Sequence, residues 1–298
     1  MPRLPLLILL AALTLPAGCA GAAPALTVAA ARTPTGAPVD ATDTDPAALP
    51  GRWLLEGTDH RVLIDPRAIE VREGVRTLTG TWRADPTGRF LARIGAAGGS
   101  AHIDPADPTP RWLAAAAGFR VDGDARVLLD RSGAPVARLL PDRSATRPLP
   151  QPADMVDPDR EPDPAERRRT APAAPVPAPL VPLTAPELLG HWFPRGATSP
   201  AFLTFEEAGT WTGSDGCNAA DGSWLVGADG GFLATAPQLR TLIGCEGNVD
   251  VATQVELARR VALDGPDLVL LDADGAPLGR YYRASAAGTG PIDPPTGG

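Results

Sequence analysis

Short apolar runs separated by Gly, Asp and Ser dominate the second half of the chain, and this pattern predicts β-strands. The last two runs are joined by Asp272-Ala273-Asp274-Gly275, a sequence typical of a hairpin turn. Strands joined by such tight turns are expected to pair antiparallel. The predicted strands are Phe202–Phe205, Thr210–Thr212, Ser223–Val226, Phe232–Thr235, Leu268–Leu271 and Leu278–Tyr282.

Helical patterns occur at two places in this half. Val251 and Val255 recur at helical spacing, which predicts a helix between residues 249 and 260. Thr184 followed by Glu187 matches a capping box and predicts that a short helix opens this half. The second half is therefore predicted to be mainly antiparallel β, with one helix near its C-terminal end.

The first half repeats the second. A shift of 142 residues places Leu128–Leu140 on Leu270–Tyr282. The same shift aligns a long stretch before these segments in the two halves without a gap. The opening Gly51-Arg52-Trp53 matches Gly190-His191-Trp192 after a three-residue adjustment. Self-similarity at a fixed offset indicates duplication of one module. Other matching pairs are Trp82 with Trp224, Phe90 with Phe232, Ala92 with Ala234, and Asp122-Gly123 with Asp264-Gly265.

Segments without this pattern divide the chain. Residues 19–48 are rich in Ala, Thr, Pro and Gly and are predicted to be a disordered tether. Residues 141–183 contain twelve prolines, which favour polyproline II structure and predict a linker that leaves the modules loosely coupled. The fold class is thus mainly β (α+β), with two similar small antiparallel β modules, each with one helix. The predicted parts are a signal peptide at 1–18, the tether at 19–48, a first module at 49–140, the linker at 141–183, a second module at 184–284 and a disordered tail at 285–298.

The chain begins with the features of an export signal. Arg3 precedes an apolar run from Leu4 to Leu15, which as a helix would span about 18 Å, short of a bilayer core of about 30 Å. Small residues follow, as at a cleavage site. The sequence Ala17-Gly18-Cys19 resembles a bacterial lipobox, with Pro16 where leucine is usual.

That resemblance implies acylation of Cys19 and a lipid anchor on the outer face of the cell membrane, at about 0.8 kcal/mol per buried methylene. The alternative is ordinary cleavage, for example after Ala22, which yields a secreted protein.

Charge argues against one class of partner. The formal net charge is -8, and the one dense basic cluster, Arg167-Arg168-Arg169, lies in the Pro-rich segment among acidic residues. Phosphate neutralisation supplies most nucleic-acid affinity, so no nucleic-acid partner is expected.

One segment carries a family resemblance. Gly216-Cys217-Asn218 leads to Gly222 and Trp224, lies after a Gly-x-Trp start, and precedes Thr241-x-x-x-Cys245. In these motifs, and in its closing strands, the second module resembles the META/HslJ family, with Trp224 replacing a usual tyrosine. The first module is a degenerate copy, covered only through its likeness to the second. The resemblance implies small exported or lipid-anchored domains with roles in heat stress and antibiotic tolerance, and no established enzymatic activity. The family-motif residues are Gly216, Cys217, Asn218, Gly222, Trp224, Thr241 and Cys245.

The cysteines predict a disulfide. Lipidation or cleavage removes Cys19 from redox chemistry, which leaves Cys217 and Cys245 as an even pair in an oxidising compartment. Val75 and Ile103 stand at the matching positions of the first module, so both cysteines are absent together. A bridge would close a loop of roughly 30 residues and contribute about 3 kcal/mol. The alternative is two buried free thiols.

No catalytic residue, metal site or cofactor is predicted. The three histidines are far in sequence from both cysteines, and no Gly-x-Ser-x-Gly or phosphate-loop motif occurs. Asn218 is expected to hold a turn, with a ligand contact as the alternative. Other groups are expected to be structural or solvated, against the alternatives of a cleft acid pair and a ligand platform: Asp215, Asp221, Glu206 and Glu207, and Trp53, Trp82, Trp192 and Trp224.

The predicted function is therefore a non-catalytic binding or envelope-stress role outside the cytoplasm. The expected partners are the membrane, through the lipid anchor, and an envelope protein or small ligand. Two alternatives stay open: a hydrolase acting on wall polymers, which needs a cleft acid or nucleophile, and a carrier of a small apolar ligand.

Overall fold

The computed structural model describes residues 43–98, 108–144, 156–237, 243–244 and 246–283, with side chains described only to residue 95 in the first range. The predicted signal peptide, most of the tether and the tail lie outside these residues, as do Cys19, Thr241 and Cys245. No helix in the described part of the chain is long and apolar enough to cross a membrane.

The first sheet has eight antiparallel strands in the order β5-β4-β3-β2-β1-β8-β7-β6. Its edges touch, because an isolated bridge joins Arg89 at the start of β5 to Gly118 at the start of β6. The sheet therefore curls around its own apolar face. The strands are β1 (Gly51–Leu55), β2 (Arg61–Ile64), β3 (Ala68–Glu73), β4 (Arg76–Ala84), β5 (Phe90–Gly98), β6 (Gly118–Asp122), β7 (Ala125–Leu129) and β8 (Pro135–Pro141).

The second sheet has the order β14-β13-β12-β11-β10-β17-β16-β15-β9. A bridge between Gly231 and Arg260 again brings its edges together. The strands are β9 (Val181–Pro182), β10 (Gly190–Pro194), β11 (Phe202–Phe205), β12 (Thr210–Ser214), β13 (Ala219–Val226), β14 (Phe232–Ala234), β15 (Arg260–Asp264), β16 (Asp267–Leu271) and β17 (Pro277–Arg283).

Apart from the short extra strand β9, the two sheets share one strand order. The similarity extends to details: the register between the last two strands shifts at Leu128/Leu129 in the first sheet and at Leu270/Leu271 in the second. The two edge bridges are also related by the shift of 142 residues that aligns the sequences. The mainly β, antiparallel class predicted from the sequence is confirmed.

Most predicted strands of the second half are present within one or two residues; the strand predicted at Ser223–Val226 is longer and begins at Ala219. The helix predicted between residues 249 and 260 is Val251–Leu257, and the capping box of Thr184 and Glu187 opens a four-residue helix. The prediction of one helix per module fits the described part of the first module but not the second, where the short opening helix adds to the one near the C-terminal end. The described residues contain four α-helices. They are α1 (Arg111–Ala114), α2 (Pro164–Thr170), α3 (Ala185–Leu188) and α4 (Val251–Leu257), with a 3-10 turn at Pro46–Ala48.

Each curled sheet encloses its own core. Indoles fill much of both cores, and their N–H groups donate to buried carbonyls: Trp53 to Leu49 at 3.0 Å, and Trp192 to Leu188 at 2.8 Å. Buried donors that keep a partner avoid a desolvation cost. The core interpretation of the recurring tryptophans is confirmed. The buried indoles are Trp53, Trp82, Trp192, Trp211 and Trp224.

The prediction that the Pro-rich segment leaves two loosely coupled parts is wrong. All described residues belong to one compact unit. The described part of this segment, residues 156–183, which we call the strap, contacts both sheets. Val156 packs on Leu63 of the first sheet, whereas Val176 and Leu180 pack on the outer face of β15 and β16. Composition predicts backbone conformation, but not the side-chain contacts that dock a proline-rich chain.

Candidate functional site

The family-motif residues form the turn between β12 and β13, and Asp215 organises it. One carboxylate oxygen accepts hydrogen bonds from the backbone N–H groups of Cys217 and Asn218, at 2.7 and 2.6 Å. The other accepts from the side-chain amide of Asn218 at 2.8 Å. Burial would raise the pKa of Asp215, but these hydrogen bonds and one from Asn248 outweigh it and lower the pKa. The carboxylate therefore holds the turn as an anion.

Asn218 joins this turn to a distant segment. Its amide N–H donates to the carbonyl of Ile243 at 2.8 Å, and its amide oxygen accepts from the N–H of Ile243 at 2.9 Å. The residue is buried, and this pair of bonds imitates a strand pairing. The sequence predicted that the Asn218 side chain bonds the backbone of its own turn, but within the turn it bonds the carboxylate of Asp215, and its backbone partner is Ile243. Its reach to residue 243 was not predicted.

Ser199 fixes the same turn from the opposite side. Its hydroxyl donates to the carbonyl of Asp215 at 3.1 Å. A Cβ atom on Gly216 would collide with the side chain of Ser199, and one on Gly247 would collide with Thr198. The residues that follow Cys245 therefore lie against the loop that also packs on the motif turn.

A cavity of about 140 Å³ adjoins the motif turn. Its polar groups are already used: Asp215 and Asn218 bond each other, and Asp250 accepts from the N–H of Thr253 as the cap of α4. Within the described residues, no three His, Cys, Asp or Glu side chains converge as metal ligands. The cavity is lined by Gly213, Ser214, Asp215, Asn218, Ala219, Ala220, Ile243, Gly244, Asn248, Asp250 and Ala252.

The remaining described motif residues, Gly222 and Trp224, belong to the sheet. A side chain on Gly222 would collide with the backbone carbonyl of Thr235 on the neighbouring segment. The indole N–H of Trp224 donates to the carbonyl of Thr210 at 2.8 Å, and its ring packs edge-on against Phe205. Both positions are therefore explained by close packing.

The other candidate acids have separate partners. Asp221 forms an ion pair with Arg93 of the first sheet at 2.6 Å, and Glu206 accepts from the hydroxyl of Thr210 at 2.7 Å. Glu207 is exposed. His191 lies on the outer surface of β10, stacked on Phe193. None of these contacts joins the candidate acids into a shared site.

A larger cleft of about 530 Å³ lies between the two sheets, and sequence reasoning did not predict it. One wall comes from the end of α1, the other from β13 and the β11–β12 turn, and the β7–β8 turn carries Arg131 to its edge. The repeat was the one feature of the sequence that could have indicated this cleft, because the cleft forms between the two copies. Its lining residues are Leu91, Ala92, Thr109, Ala114, Ala115, Ala116, Ala117, Asp130, Arg131, Ser132, Ala208, Gly209, Thr210, Ser223, Trp224 and Leu225.

Comparisons with known proteins identify no relative: no family model matches the chain, and no curated protein or solved structure shows a significant match.

Proposed function

We propose that the chain is an exported lipoprotein, anchored through Cys19, whose two META/HslJ-like sheets form a single body for non-catalytic binding at the cell envelope. The observation that carries this proposal is the shared strand order of the two sheets, which supports duplication of one exported module. The export signal and lipobox of the sequence supply the anchor.

The contacts of the motif residues support a non-catalytic role. The side chains of Asp215 and Asn218 form hydrogen bonds with each other and with backbone groups of the turn and of Ile243. Trp224 lies in the core with its N–H bonded. A catalytic acid or base needs a polar atom within reach of a reacting group, and these atoms already have structural partners.

We further propose that Cys217 pairs with Cys245. Cys19, Cys217 and Cys245 are the three cysteines of the chain, and lipidation or cleavage removes Cys19 from the pairing. Asn218, the neighbour of Cys217, bonds Ile243, two residues before Cys245. The contact between Asn218 and Ile243 therefore supports a pairing of their cysteine neighbours along the chain.

Mass spectrometry of the unreduced protein tests the pairing. Proteolytic fragments containing Cys217 and Cys245 are expected as one linked species that separates on reduction. Recovery of both cysteines as alkylated free thiols without reduction would contradict the bridge.

Expression of the full chain and its Cys19→Ala variant in a bacterial host that processes lipoproteins tests the anchor. The unaltered chain is expected in the membrane fraction with a diacylated N-terminal cysteine, and the variant is expected in the soluble or secreted fraction. Cys19-containing peptide without acyl groups, or membrane association that is unchanged in the variant, would contradict the proposal.

A second function, a carrier of a small apolar ligand, is favoured by one observation. The cleft between the sheets has the size of ligand pockets, which are typically 300–1,000 Å³ and mostly apolar with a few polar groups.

A further inference from the structure

The two sheets pack about an approximate two-fold axis. Strand β5 contacts β13, and β14 contacts β4, which is the reciprocal contact because β14 and β13 are the counterparts of β5 and β4. Near the axis, Arg89 donates to the carbonyl of Gly231, its own counterpart, at 2.8 Å. Such self-complementary contact is the property of a two-fold interface. Each feature on one side of the axis therefore has a counterpart position on the other.

On the side of the axis next to β4 and α4, which we call the closed side, charged side chains fill the space between the two sheets. Arg83 of β4 forms an ion pair with Glu256 of α4 at 2.6 Å, and its side chain is only 7% exposed. Burial lowers the pKa of Arg83 to about 10, although Glu256 opposes the shift, so the guanidinium stays charged at neutral pH. Arg259 donates to backbone carbonyls of the strap at Arg168 and Ala171.

The other side lacks every one of these groups. The counterparts of Arg83 and Glu256 are Leu225 and Ala114, and the counterpart of Arg259 is Ala117. All three line the cleft. Replacing the Arg83–Glu256 pair and a second arginine by Leu and two Ala residues removes side-chain volume, which contributes to the space of about 530 Å³ at this place.

The strap covers the closed side alone. Arg67 contacts Glu166 and Asp163 of the strap, and the carbonyl of Ala273 accepts from the N–H of Ala174 at 2.8 Å. The counterparts of Arg67 and Ala273 are Gly209 and Arg131, which line the cleft. The side chain of Arg67 thus has no equivalent on the cleft side, where Gly209 stands, and no strap residue is among those that line the cleft.

Arg131 gives the cleft a directional polar group. Its exposed guanidinium lies against Gly209 across the interface, and it makes no hydrogen bond or ion pair with any described residue. Guanidinium N–H groups only donate, so this exposed side chain can donate to an acceptor on a ligand in place of water. The adjacent Asp130 is committed to its own turn, where it accepts from the N–H groups of Ser132 and Ala134 at 2.8 and 3.0 Å.

We propose that this cleft binds an amphiphile with an apolar body and a carboxylate head. The apolar body contacts Leu91, Trp224, Leu225 and the alanines at and just after the end of α1, and Arg131 holds the head by a charge-assisted hydrogen bond. This inference rests on the carrier function proposed for the same cleft and specifies its ligand; apart from Trp224, the residues that it uses lie outside the family motif.

Calorimetric titration with dodecanoate below its micelle concentration tests the proposal. The titrated protein is the mature chain with the substitution Cys19→Ala, so that no covalently attached acyl group competes for the cleft. Dodecanoate is expected to bind at one site per chain. Arg131→Gln is expected to weaken dodecanoate at least tenfold and to leave dodecanol, which has the same chain without the carboxylate, unchanged. Arg143→Gln, at an exposed arginine outside the cleft, is the matched control.

A second variant fills the cleft by copying the closed side. Leu225→Arg with Ala114→Glu transplants the Arg83–Glu256 pair and is expected to abolish binding of both probes, with thermal unfolding as the check on folding. Failure of the unaltered chain to bind dodecanoate, or equal binding by a folded transplant variant, would overturn the proposal. If the titrations fail but the unaltered chain is still found acylated and in the membrane fraction, the proposed envelope role stands and only the proposed cleft ligand is contradicted.

Discussion

At Gly80 and Gly222, any side chain would collide with a backbone carbonyl of the adjacent segment, at Arg93 and Thr235 respectively. The two glycines occupy matching positions of the two copies. Sequence analysis singled out Gly222 only as part of a family motif; the structure supplies the physical reason, a close backbone approach that both sheets require.

Gly222→Ala is therefore expected to destabilise the protein. Forcing a methyl group against backbone costs about 1–3 kcal/mol by overpacking, and Gly80→Ala is expected to cost a similar amount. Urea unfolding measures both. Gly95→Ala, where an added Cβ meets nothing within 4 Å, is the control and should change the free energy of unfolding by less than either.

Asn218→Ala removes the link between the motif turn and Ile243. It leaves the backbone groups of Ile243 without their partner and takes one donor from Asp215. A loss of about 2–3 kcal/mol is expected, since three hydrogen bonds are lost and each contributes about 0.5–1.5 kcal/mol. Asn248→Ala removes only a single hydrogen bond to Asp215 and should cost less. Equal unfolding free energies for the two variants in urea would contradict the role given to Asn218.

At the scale of elements, strands and turns were readable because alternation and Gly/Asp punctuation are local. The hairpin after Leu271 and the cap at Thr184 needed nothing beyond neighbouring residues. The strap was mispredicted because its docking depends on partners about a hundred residues away: Arg52 meets Asp159, and Arg67 meets Glu166. The cleft was missed for a related reason, since it forms between the copies and belongs to neither alone.

Glu166 is the buried acid that docks the strap to the first sheet. Burial alone would raise its pKa, but hydrogen bonds from Arg160, from the N–H of Asp163 and from Arg67 lower it to about 2, from an ordinary value of 4.5. A lowered pKa in the folded state means that the stabilisation is complete above pH 4.5. It is lost as the pH falls toward 2.

Glu166→Gln should therefore cost about 2–3 kcal/mol at neutral pH and flatten the decline of stability between pH 4.5 and 2. Urea unfolding across that range is the measurement. Glu161→Gln, an exposed strap acid, serves as the control. A variant whose stability falls with pH as steeply as that of the unaltered chain would contradict this assignment.

At the scale of the whole molecule, the interface between the sheets depends on charge pairs that cross it. Besides Arg83–Glu256, Arg89 meets Asp229 at 3.2 Å and Arg93 meets Asp221 at 2.6 Å. A buried pair contributes less than its removal suggests, because deleting one partner leaves an uncompensated charge.

Glu256→Ala is thus expected to cost about 3 kcal/mol, since it leaves Arg83 buried and unpaired. Adding Arg83→Leu reproduces the Leu and Ala that occupy the counterpart positions on the cleft side, and should recover part of that loss. Urea unfolding of the two single variants and the double variant measures the coupling. Strict additivity of the three free energies would contradict a direct pair.

Two sheets with the same strand order form a single cooperative body, held together by the strap and by the charge pairs at their interface. Differential scanning calorimetry of the mature chain measures this cooperativity. We expect one transition whose calorimetric and van't Hoff enthalpies agree, and we expect Glu166→Gln or Glu256→Ala to shift it as a whole. Two resolved transitions, each responding only to substitutions in its own sheet, would contradict it.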